Sequence, residues 1–182
     1  MDFFTSDTHF WHRNILHLGK GRPFSSIEEM NEKLIENWNS VVGTEDNIFH
    51  LGDFGFCGVQ QALSIIGRLN GKKHLIIGNH DRRLIKDHNF FYQFLSVQPY
   101  LARDFASQGK TRKVILFHYP MEEWESYYFK SWHLYGHTHK ELVADASLLR
   151  YHAGVDSNGF KPVSFDEVFI KLTERQNTIY GK

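Results

Sequence analysis

Short apolar runs alternate with amphipathic stretches along the first half of the chain. The runs 1–6, 47–51 and 74–77 are each closed by aspartate or glycine, which predicts three buried β-strands. Between the first two, apolar residues recur at the spacing of one helical face: Ile27, Met30, Leu34, Ile35, Trp38 and Val41. A second helix is predicted over about 59–69. Strands separated by helices in this order favour an α/β fold.

Two helices have recognisable starting signals. Ser26 is followed three residues later by Glu29, and Ser164 is followed in the same way by Glu167. Each pair is the pattern of a capping box, in which the two side chains satisfy free backbone amides of the first turn. We also predict that the stretch 82–95 is helical at its beginning.

The second half of the chain has mostly strand-like patterns. Strands are predicted over 97–105 and 112–117, with Ser107–Lys110 as a hairpin turn between them. Further strands are predicted over 132–135 and 148–151. Helices are concentrated in the first half and strands in the second, so we predict an α/β layered sandwich with mixed sheets.

The length of 182 residues is that of one domain, which we expect to span 1–182. Twenty-one basic and 21 acidic residues give zero formal net charge. The chain therefore lacks an overall basic field that would hold a long nucleic acid. A nucleotide or another small phosphate ester is compatible with this charge. The sequence does not predict an oligomeric state.

Cys57 is the single cysteine, which rules out an internal disulfide and is typical of a reducing compartment. The first predicted strand begins at the N-terminus and leaves no room for a signal peptide. No apolar run approaches the roughly 20 residues of a membrane span. We therefore expect a cytoplasmic protein without a membrane partner.

Five predicted strands end in side chains that can bind a metal ion. These side chains are Asp7, His9, Asp53, Asn79, His118, His137 and His139. Ligands of open α/β sheets bind beyond the carboxyl ends of the strands, so strands that share a sheet would gather these side chains in one crevice. So many carboxylates and imidazoles are costly to bury without a metal. Seven ligands suit two ions that share one carboxylate.

The donor types narrow the choice of metal. Mixed oxygen and nitrogen donors without thiolate indicate Mn, Fe, Ni, Co or Zn, and not a pure Mg or Ca site. Each motif alone has an ordinary alternative. Asp7-Thr8-His9 can be an Asx turn, Asp53 a turn residue, and His118 a hydrogen-bonded loop histidine. Their common position at strand ends favours the metal interpretation.

The ordered motifs resemble those of the calcineurin-like metallophosphoesterase superfamily. They are Asp7-x-His9, Gly52-Asp53, Gly78-Asn79-His80-Asp81, His118 and Gly136-His137-x-His139. The resemblance covers residues 1 to about 155 and is nearest to small bacterial or phage-type predicted phosphoesterases. It implies a four-layer α/β/β/α sandwich of two mixed β-sheets flanked by helices.

The resemblance also implies a role for each motif residue. A first ion would be held by Asp7, His9, Asp53 and His139, and a second ion by Asp53, Asn79, His118 and His137. His80 would contact the substrate phosphate and protonate the leaving oxygen. Asp81 would orient His80 or cap the following helix.

The implied activity is hydrolysis of a phosphate ester by attack of a hydroxide that bridges two divalent ions, with Mn as the first choice. We predict a phosphodiesterase acting on a nucleotide-like or other small phosphodiester. A phosphomonoesterase and a non-catalytic, phosphoesterase-like scaffold are the alternatives. Protein Ser/Thr phosphatases of the superfamily have Asp-Arg-Gly where this chain has Asp53-Phe54-Gly55, and Glu in place of Asp81. Both differences weigh against a protein phosphatase.

Substrate contacts are predicted next to the ligand loops. His12, Arg13, Asn14 and Arg82 follow these loops and are candidates to bind phosphate oxygens, or are solvated surface groups. Trp11 and the aromatic segment 121–129 are predicted either to stack on a base or to pack against the sheet.

Overall fold

The computed structural model describes residues 1–18 and 21–181. Its strands are β1 (Asp2–Thr5), β2 (Asn47–His50), β3 (Lys72–Ile76), β4 (Ser96–Gln98), β5 (Tyr100–Ser107), β6 (Lys110–Phe117), β7 (Trp132–Tyr135), β8 (Arg150–His152) and β9 (Val163–Ser164). Its helices are α1 (Ile27–Asn39), α2 (Val59–Ile66), α3 (His88–Phe91) and α4 (Phe165–Tyr180). None of the helices in this part of the chain has the length and apolar character of a membrane span.

The strands form two mixed sheets, so the predicted α/β sandwich is confirmed at this level. The first sheet has the order β4-β3-β2-β1-β9, in which β1 to β4 are parallel and β9 is antiparallel to β1. The second has the order β5-β6-β7-β8, in which β6 to β8 are parallel and β5 is antiparallel to β6. Each sheet therefore contributes several carboxyl ends to one edge.

Alternation along the first sheet divides its side chains between two cores. Phe3, Ile48 and Leu75 pack with the buried faces of α1 and α2. Their neighbours Phe4 and Phe49 pack in the core shared with the second sheet. The two-residue period of a strand thus places β1 and β2 between two apolar layers, which explains why apolar residues follow one another at Phe3-Phe4 and Ile48-Phe49.

Helix α4 packs on the inner face of the second sheet, beside the first sheet. The Phe165 ring lies 6.1 Å from that of Phe4 in β1 and 6.3 Å from that of Trp132 in β7. The predicted capping box is present here, because Ser164 and Glu167 bond each other's backbone amides. The helix therefore begins directly at the end of β9 and closes the core between the sheets.

The outer face of the second sheet is covered by turns. The Trp124 ring lies 5.3 Å from His133 of β7, and Asp145 pairs with Arg150 of β8. Within the described residues, the covering segments 119–131 and 142–148 contain only short 3₁₀ turns. The outermost helical layer implied by the family resemblance is thus replaced on this face by irregular chain.

The predicted strand 97–105 is broken at Pro99. Proline has no N–H to donate, and the chain changes sheets at this residue. Gln98 is the last residue of β4 in the first sheet, and Tyr100 pairs with Phe117 in the second.

The stretch 82–95, which was predicted to begin as a helix, contains a 3₁₀ turn at Leu84–Lys86 and the single-turn helix α3.

Two local predictions are confirmed with a small correction. Gln108 and Gly109 have φ of 52° and 71° and form the two-residue hairpin turn between β5 and β6. Ser26 caps α1 by accepting the N–H of Glu29. The Glu29 carboxylate accepts the N–H of Ser25 instead of that of Ser26, so the box is shifted by one residue.

Candidate metal centre

The carboxyl ends of β1, β2, β3, β6 and β7 meet at one edge of the sandwich. They bring together two sets of side chains that can hold metal ions, and the donor atoms within each set lie within 4.8 Å of one another. The first donor group is Asp7, His9 and His139, and the second donor group is Asp53, His118 and His137. Both sheets supply each group, so the crevice lies between two sheets and not at the edge of one.

Asp53 belongs to the second group and also faces the first. Its Oδ2 is 3.8 Å from Nε2 of His9 and 3.5 Å from Nε2 of His118. The Oδ1 atom of Asn79 lies 3.0 Å from the same His118 nitrogen. Asp53 therefore has the position that a carboxylate bridging two ions requires.

Hydrogen bonds outside the crevice fix the direction of two imidazoles. Nδ1 of His118 lies 2.8 Å from the carbonyl oxygen of Leu51, and Nδ1 of His139 lies 3.0 Å from Oδ2 of Asp156. An N–H on each of these Nδ1 atoms leaves the Nε2 lone pair directed into the crevice. This arrangement is the usual one for a histidine that binds a metal.

The donor set fits divalent cations. Nε2 of His9 and Nε2 of His139 are only 3.1 Å apart, and Nδ1 of His9 is buried without a partner among the described residues. Burial and the nearby His139 hold the pKa of His9 well below its usual range. A neutral imidazole facing a second imidazole and two carboxylates is satisfied best by a shared positive ion.

The two carboxylates of the crevice differ in their acidity. Burial raises the pKa of Asp7 to about 6. Burial acts in the same direction on Asp53, but the hydrogen bond and charge of His118 outweigh it and lower the pKa of Asp53. The same interaction raises the pKa of His118 against the effect of its own burial. Asp53 is thus the more readily ionised of the two.

Backbone strain is concentrated in these residues. Five predicted ligands have left-handed φ values: Asp7 at 54°, His9 at 49°, Asp53 at 59°, His137 at 70° and His139 at 55°. Such conformations cost about 1–3 kcal/mol each and are found mostly where a functional site over-determines the backbone. All three residues of the first donor group and two of the three in the second have this strained backbone.

Two glycines permit the close approach of the ligand loops. A β-carbon at Gly78 would overlap the Asp53 carboxylate, and one at Gly136 would lie 2.5 Å from Oδ2 of Asp7. Real β-carbons do not approach other atoms this closely. The glycines in front of Asn79 and His137 therefore have a packing reason, because each passes beside a carboxylate from another strand.

Asp81 holds two ligand loops together. Its fully buried carboxylate accepts the N–H groups of Asp53 at 2.8 Å, Phe54 at 2.9 Å and Gly78 at 2.8 Å. Neither carboxylate oxygen lies within 4.0 Å of a ring nitrogen of His80. The prediction that Asp81 orients His80 or caps a helix is therefore wrong, since the carboxylate is already occupied by three amides. Asp81 positions Asp53 instead.

His80 faces the crevice without belonging to either donor group. Its N–H donates to Oδ1 of Asp53 at 2.9 Å, and its Nε2 lies 3.9 Å from Oδ2 of the same residue. The side chain is 35% exposed. The ring can therefore reach both the edge of the metal crevice and a molecule bound above it.

The four predicted substrate contacts are placed unequally. The His12 ring lies 5.2 Å from that of His9 and 6.3 Å from that of His80, so it faces the crevice. Arg13 is directed to the surface, where it lies 3.6 Å from Glu28. Asn14 and Arg82 are also exposed, and their side chains have no hydrogen bond within the described part of the chain. Of the four, only His12 lies among the site rings.

The stacking hypothesis for the aromatic segment 121–129 is wrong. Trp124 is buried and bonds Ser131, and Tyr127 packs on it with a ring separation of 4.9 Å. Trp11 packs against the core beneath α1 and α2.

Phe56, which was not predicted, lies beside the site. Its ring stacks on His12 at 4.7 Å and meets the edge of His80 at 5.4 Å.

Asp156 and Arg22 were also not predicted. Asp156 contacts His139 and pairs with Arg22 through two bonds of 2.8 Å. Arg22 also donates to the carbonyl oxygens of Asp7 at 2.6 Å and Thr8 at 2.9 Å. These bonds lower the pKa of Asp156 to about 2 although burial acts to raise it. Because 134 residues separate Arg22 from Asp156, no local pattern connects them.

Several known proteins are similar to this chain over most of its length. No protein-family model matches the sequence. The chain is 26% identical to the gene 66 protein of Mycobacterium phage L5, over 92% of this chain and 91% of that protein. A crystal structure of the protein of unknown function AQ665 from Aquifex aeolicus aligns with a TM-score of 0.70 at 27% identity, covering 94% of this chain and 98% of that one.

A further relative comes from the archaeon Methanocaldococcus jannaschii. Its uncharacterized protein MJ1445 is 31% identical over 184 aligned residues, which cover 97% of this chain and 93% of that protein. Identity at this level over nearly the whole of both chains shows common descent. The chain belongs to the family that includes MJ1445.

Proposed function

We propose that the protein is a phosphodiesterase of the metallophosphoesterase type that depends on two divalent metal ions. The observation that carries this proposal is that Asp53, a member of the second donor group, also faces His9 of the first at 3.8 Å. A site for one catalytic ion does not require a carboxylate that faces histidines of two donor groups. Two ions that share one carboxylate are typical of enzymes that transfer phosphoryl groups.

Each ion would be held by residues from both sheets. Asp7, His9 and His139 with Asp53 would hold the first, and Asn79, His118 and His137 with Asp53 would hold the second. Mn is the first choice, with Fe, Ni, Co and Zn as alternatives for the same donors. When bound, such ions supply positive charge for the phosphoryl oxygens and a water that ionises near neutral pH.

His80 is suited to act on the leaving group. As an oxygen of water bonds to phosphorus, the bond from phosphorus to the ester oxygen breaks, and that oxygen needs a proton. The partly exposed His80 ring beside Asp53 can donate it, and solvent restores the proton on the ring. His12 and Phe56 lie against the same side of His80 and would border the departing group.

The charges around the crevice favour a diester. A phosphodiester has one negative charge, whereas a monoester has up to two near neutral pH. Among the described residues that face the donor groups, His12 and His80 add imidazoles, and the buried guanidinium of Arg22 is fully engaged by Asp156 and two carbonyl groups. This surrounding is better matched to the singly charged phosphate.

An add-back experiment tests the proposal. Protein stripped by a chelator receives Mn, Ni, Mg or Zn, and hydrolysis of a chromogenic phosphodiester is compared with that of its monoester and of linear and cyclic nucleotides. We expect Mn to restore hydrolysis, with the diester preferred. A preference for the monoester would assign a phosphomonoesterase. No hydrolysis with any metal would favour a non-catalytic scaffold.

A further inference from the structure

A cleft opens beside the first donor group. It has a volume of about 630 Å³ and runs between the chain around Ile15 and Leu18 and the segments 138–140 and 156–160. This volume lies within the roughly 300–1,000 Å³ of small-molecule sites. His139 belongs both to the cleft wall and to the first donor group. A molecule in the cleft would therefore touch the metal centre.

One wall of the cleft is apolar. Ile15, Leu18 and Phe160 form it, and Leu18 is 56% exposed. Phe160 has a φ of 59°, which is costly for a bulky residue. Its N–H bonds the Val155 carbonyl at 2.9 Å, and its carbonyl accepts the side chain of Asn37 at 3.1 Å. A strained backbone thus holds an aromatic ring at the wall.

The cleft also has charged lining groups, and most of them are paired within the protein. The Arg22 guanidinium lies 5.9 Å from the centre of the Phe160 ring and is bonded to Asp156. Both carboxylate oxygens of Asp156 are bonded to Arg22 or His139. Lys140 is the remaining charged lining group, and it has no ion pair within the described part of the chain. The cleft therefore carries an unbalanced positive charge, which disfavours a cationic occupant.

His9 lies near both His80 and the cleft wall. The His9 ring is 5.5 Å from the ring of His80 and 4.9 Å from that of His139 in the cleft wall. If the leaving group departs beside His80 and Phe56, the substituent that remains on phosphorus has the His139 side available.

We propose that this cleft binds the retained organic group of the phosphodiester, and that this group is a neutral or anionic ring. The inference rests on the proposed function. The side chains of Leu18 and Phe160 would pack against the ring of this retained group. They would determine which retained group is preferred, without touching the reacting atoms.

Two diesters with the same p-nitrophenol leaving group test the assignment. One retains a phenyl group on phosphorus and the other retains a methyl group. We expect kcat/KM to favour the phenyl diester about tenfold or more, because burial of a ring in an apolar cleft gains binding energy. Leu18→Ala and Phe160→Ala should reduce this preference to about threefold or less, whereas Phe129→Ala, outside the cleft, should keep it.

A binding measurement separates this inference from the proposed function. Phenylphosphonate and methylphosphonate have no ester bond, and calorimetry can compare their affinities for wild type, Leu18→Ala and the control Phe129→Ala, whose ring is exposed outside the cleft. Tighter binding of the phenyl compound that is lost in Leu18→Ala alone supports the cleft even if no diester is hydrolysed. Hydrolysis without any phenyl preference, or a preference unchanged in Leu18→Ala, overturns it.

Discussion

The candidate metal centre and the outer face of the second sheet both bury ionisable side chains, but they satisfy them differently. On the outer face, the Asp145 carboxylate pairs with Arg150 and accepts the Tyr135 hydroxyl. It also accepts the N–H of Leu142 at 2.8 Å, and Arg150 donates to the Met121 carbonyl at 2.9 Å. The charges of this outer-face cluster are matched within the protein.

His133 shows the same completeness in a single ring. Its Nδ1 lies 3.1 Å from the Ile115 carbonyl oxygen. Its Nε2 lies 3.1 Å from the Tyr119 carbonyl oxygen and 3.3 Å from the Met121 nitrogen. Burial lowers its pKa to about 4, so the ring is neutral. It lies within a regular strand and has no need of a cation.

The metal centre has the opposite properties. Nε2 of His9 and Nε2 of His139 are 3.1 Å apart, and five ligand residues have left-handed backbones. Burial of charge alone therefore does not identify a site in this protein. Ligand residues with strained backbones and the unpartnered Nδ1 of His9 distinguish the metal centre from the outer-face cluster. The predictions below test this distinction.

The largest effect is expected for Asp53→Asn. The amide keeps an acceptor for the His80 N–H, but it removes the charge that would join two cations. We expect loss of both metals by elemental analysis and no detectable hydrolysis. Asp104→Asn, on the exposed side of β5, is the matched control. Two bound metals with normal turnover in Asp53→Asn would remove the bridging role.

His80→Gln should leave metal content intact, because the ring is in neither donor group. We expect kcat to fall about 10²–10⁴-fold for an alkyl leaving group, which needs a proton. The loss should be much smaller for p-nitrophenolate, which leaves without one. An equal loss for both leaving groups would contradict a role as general acid.

Asp145→Asn tests the outer-face cluster. Removing the charge leaves Arg150 buried without an ionic partner, so we expect the free energy of unfolding to fall by about 3–5 kcal/mol. Metal affinity should be unchanged at temperatures where the protein stays folded. Urea unfolding and metal titration on the same sample measure both quantities. Loss of metal without loss of stability would reverse the distinction between the regions.

Asp156→Asn should weaken the first metal site about 10–100-fold, the usual effect of removing the carboxylate behind a metal-binding histidine. The second donor group makes no contact with Asp156 in the described residues and should keep its affinity. Calorimetric titration measures the binding of one metal ion to each site as a separate step. Equal weakening of both steps would indicate a general loss of structure.

The smallest effect is on acid stability. His133 has a folded pKa of about 4, below its unfolded value near 6.5. The unfolded chain binds the extra proton, so the contribution of His133 is complete above pH 6.5 and is lost as the pH falls toward 4. His133→Gln should make urea midpoints less dependent on pH across this window. An unchanged pH slope would show that the pKa of His133 is the same in the native and unfolded protein.

Local patterns predicted the parts of the fold that depend on neighbours in sequence. The strand ends at Asp7, Asp53 and Asn79 follow from apolar runs closed by turn residues, and the hairpin at Gln108 follows from its turn chemistry. The sheet change at Pro99 was missed because residues 97–105 have a continuous strand pattern. The choice of sheet on either side is decided by tertiary packing.

The candidate site divides in the same way. The seven predicted ligands are brought together because each directly follows a strand. Asp156 and Arg22 were missed because their roles depend on contacts with distant loops. Arg13 was named for its nearness to His9 in sequence, yet the turn that follows His12 directs it to the surface. Nearness in sequence therefore predicts which residues share a ligand loop better than it predicts which side chains contact the substrate.

The change of sheet at Pro99 has a consequence for assembly. Residues before it build the first sheet up to β4 and carry Asp7, His9, Asp53 and Asn79, whereas His118, His137 and His139 come after it. Each ion would therefore be held by side chains from both sides of one proline. Metal binding would link the two parts of the chain to each other. Neither part could hold an ion in this way before the two sheets had packed together.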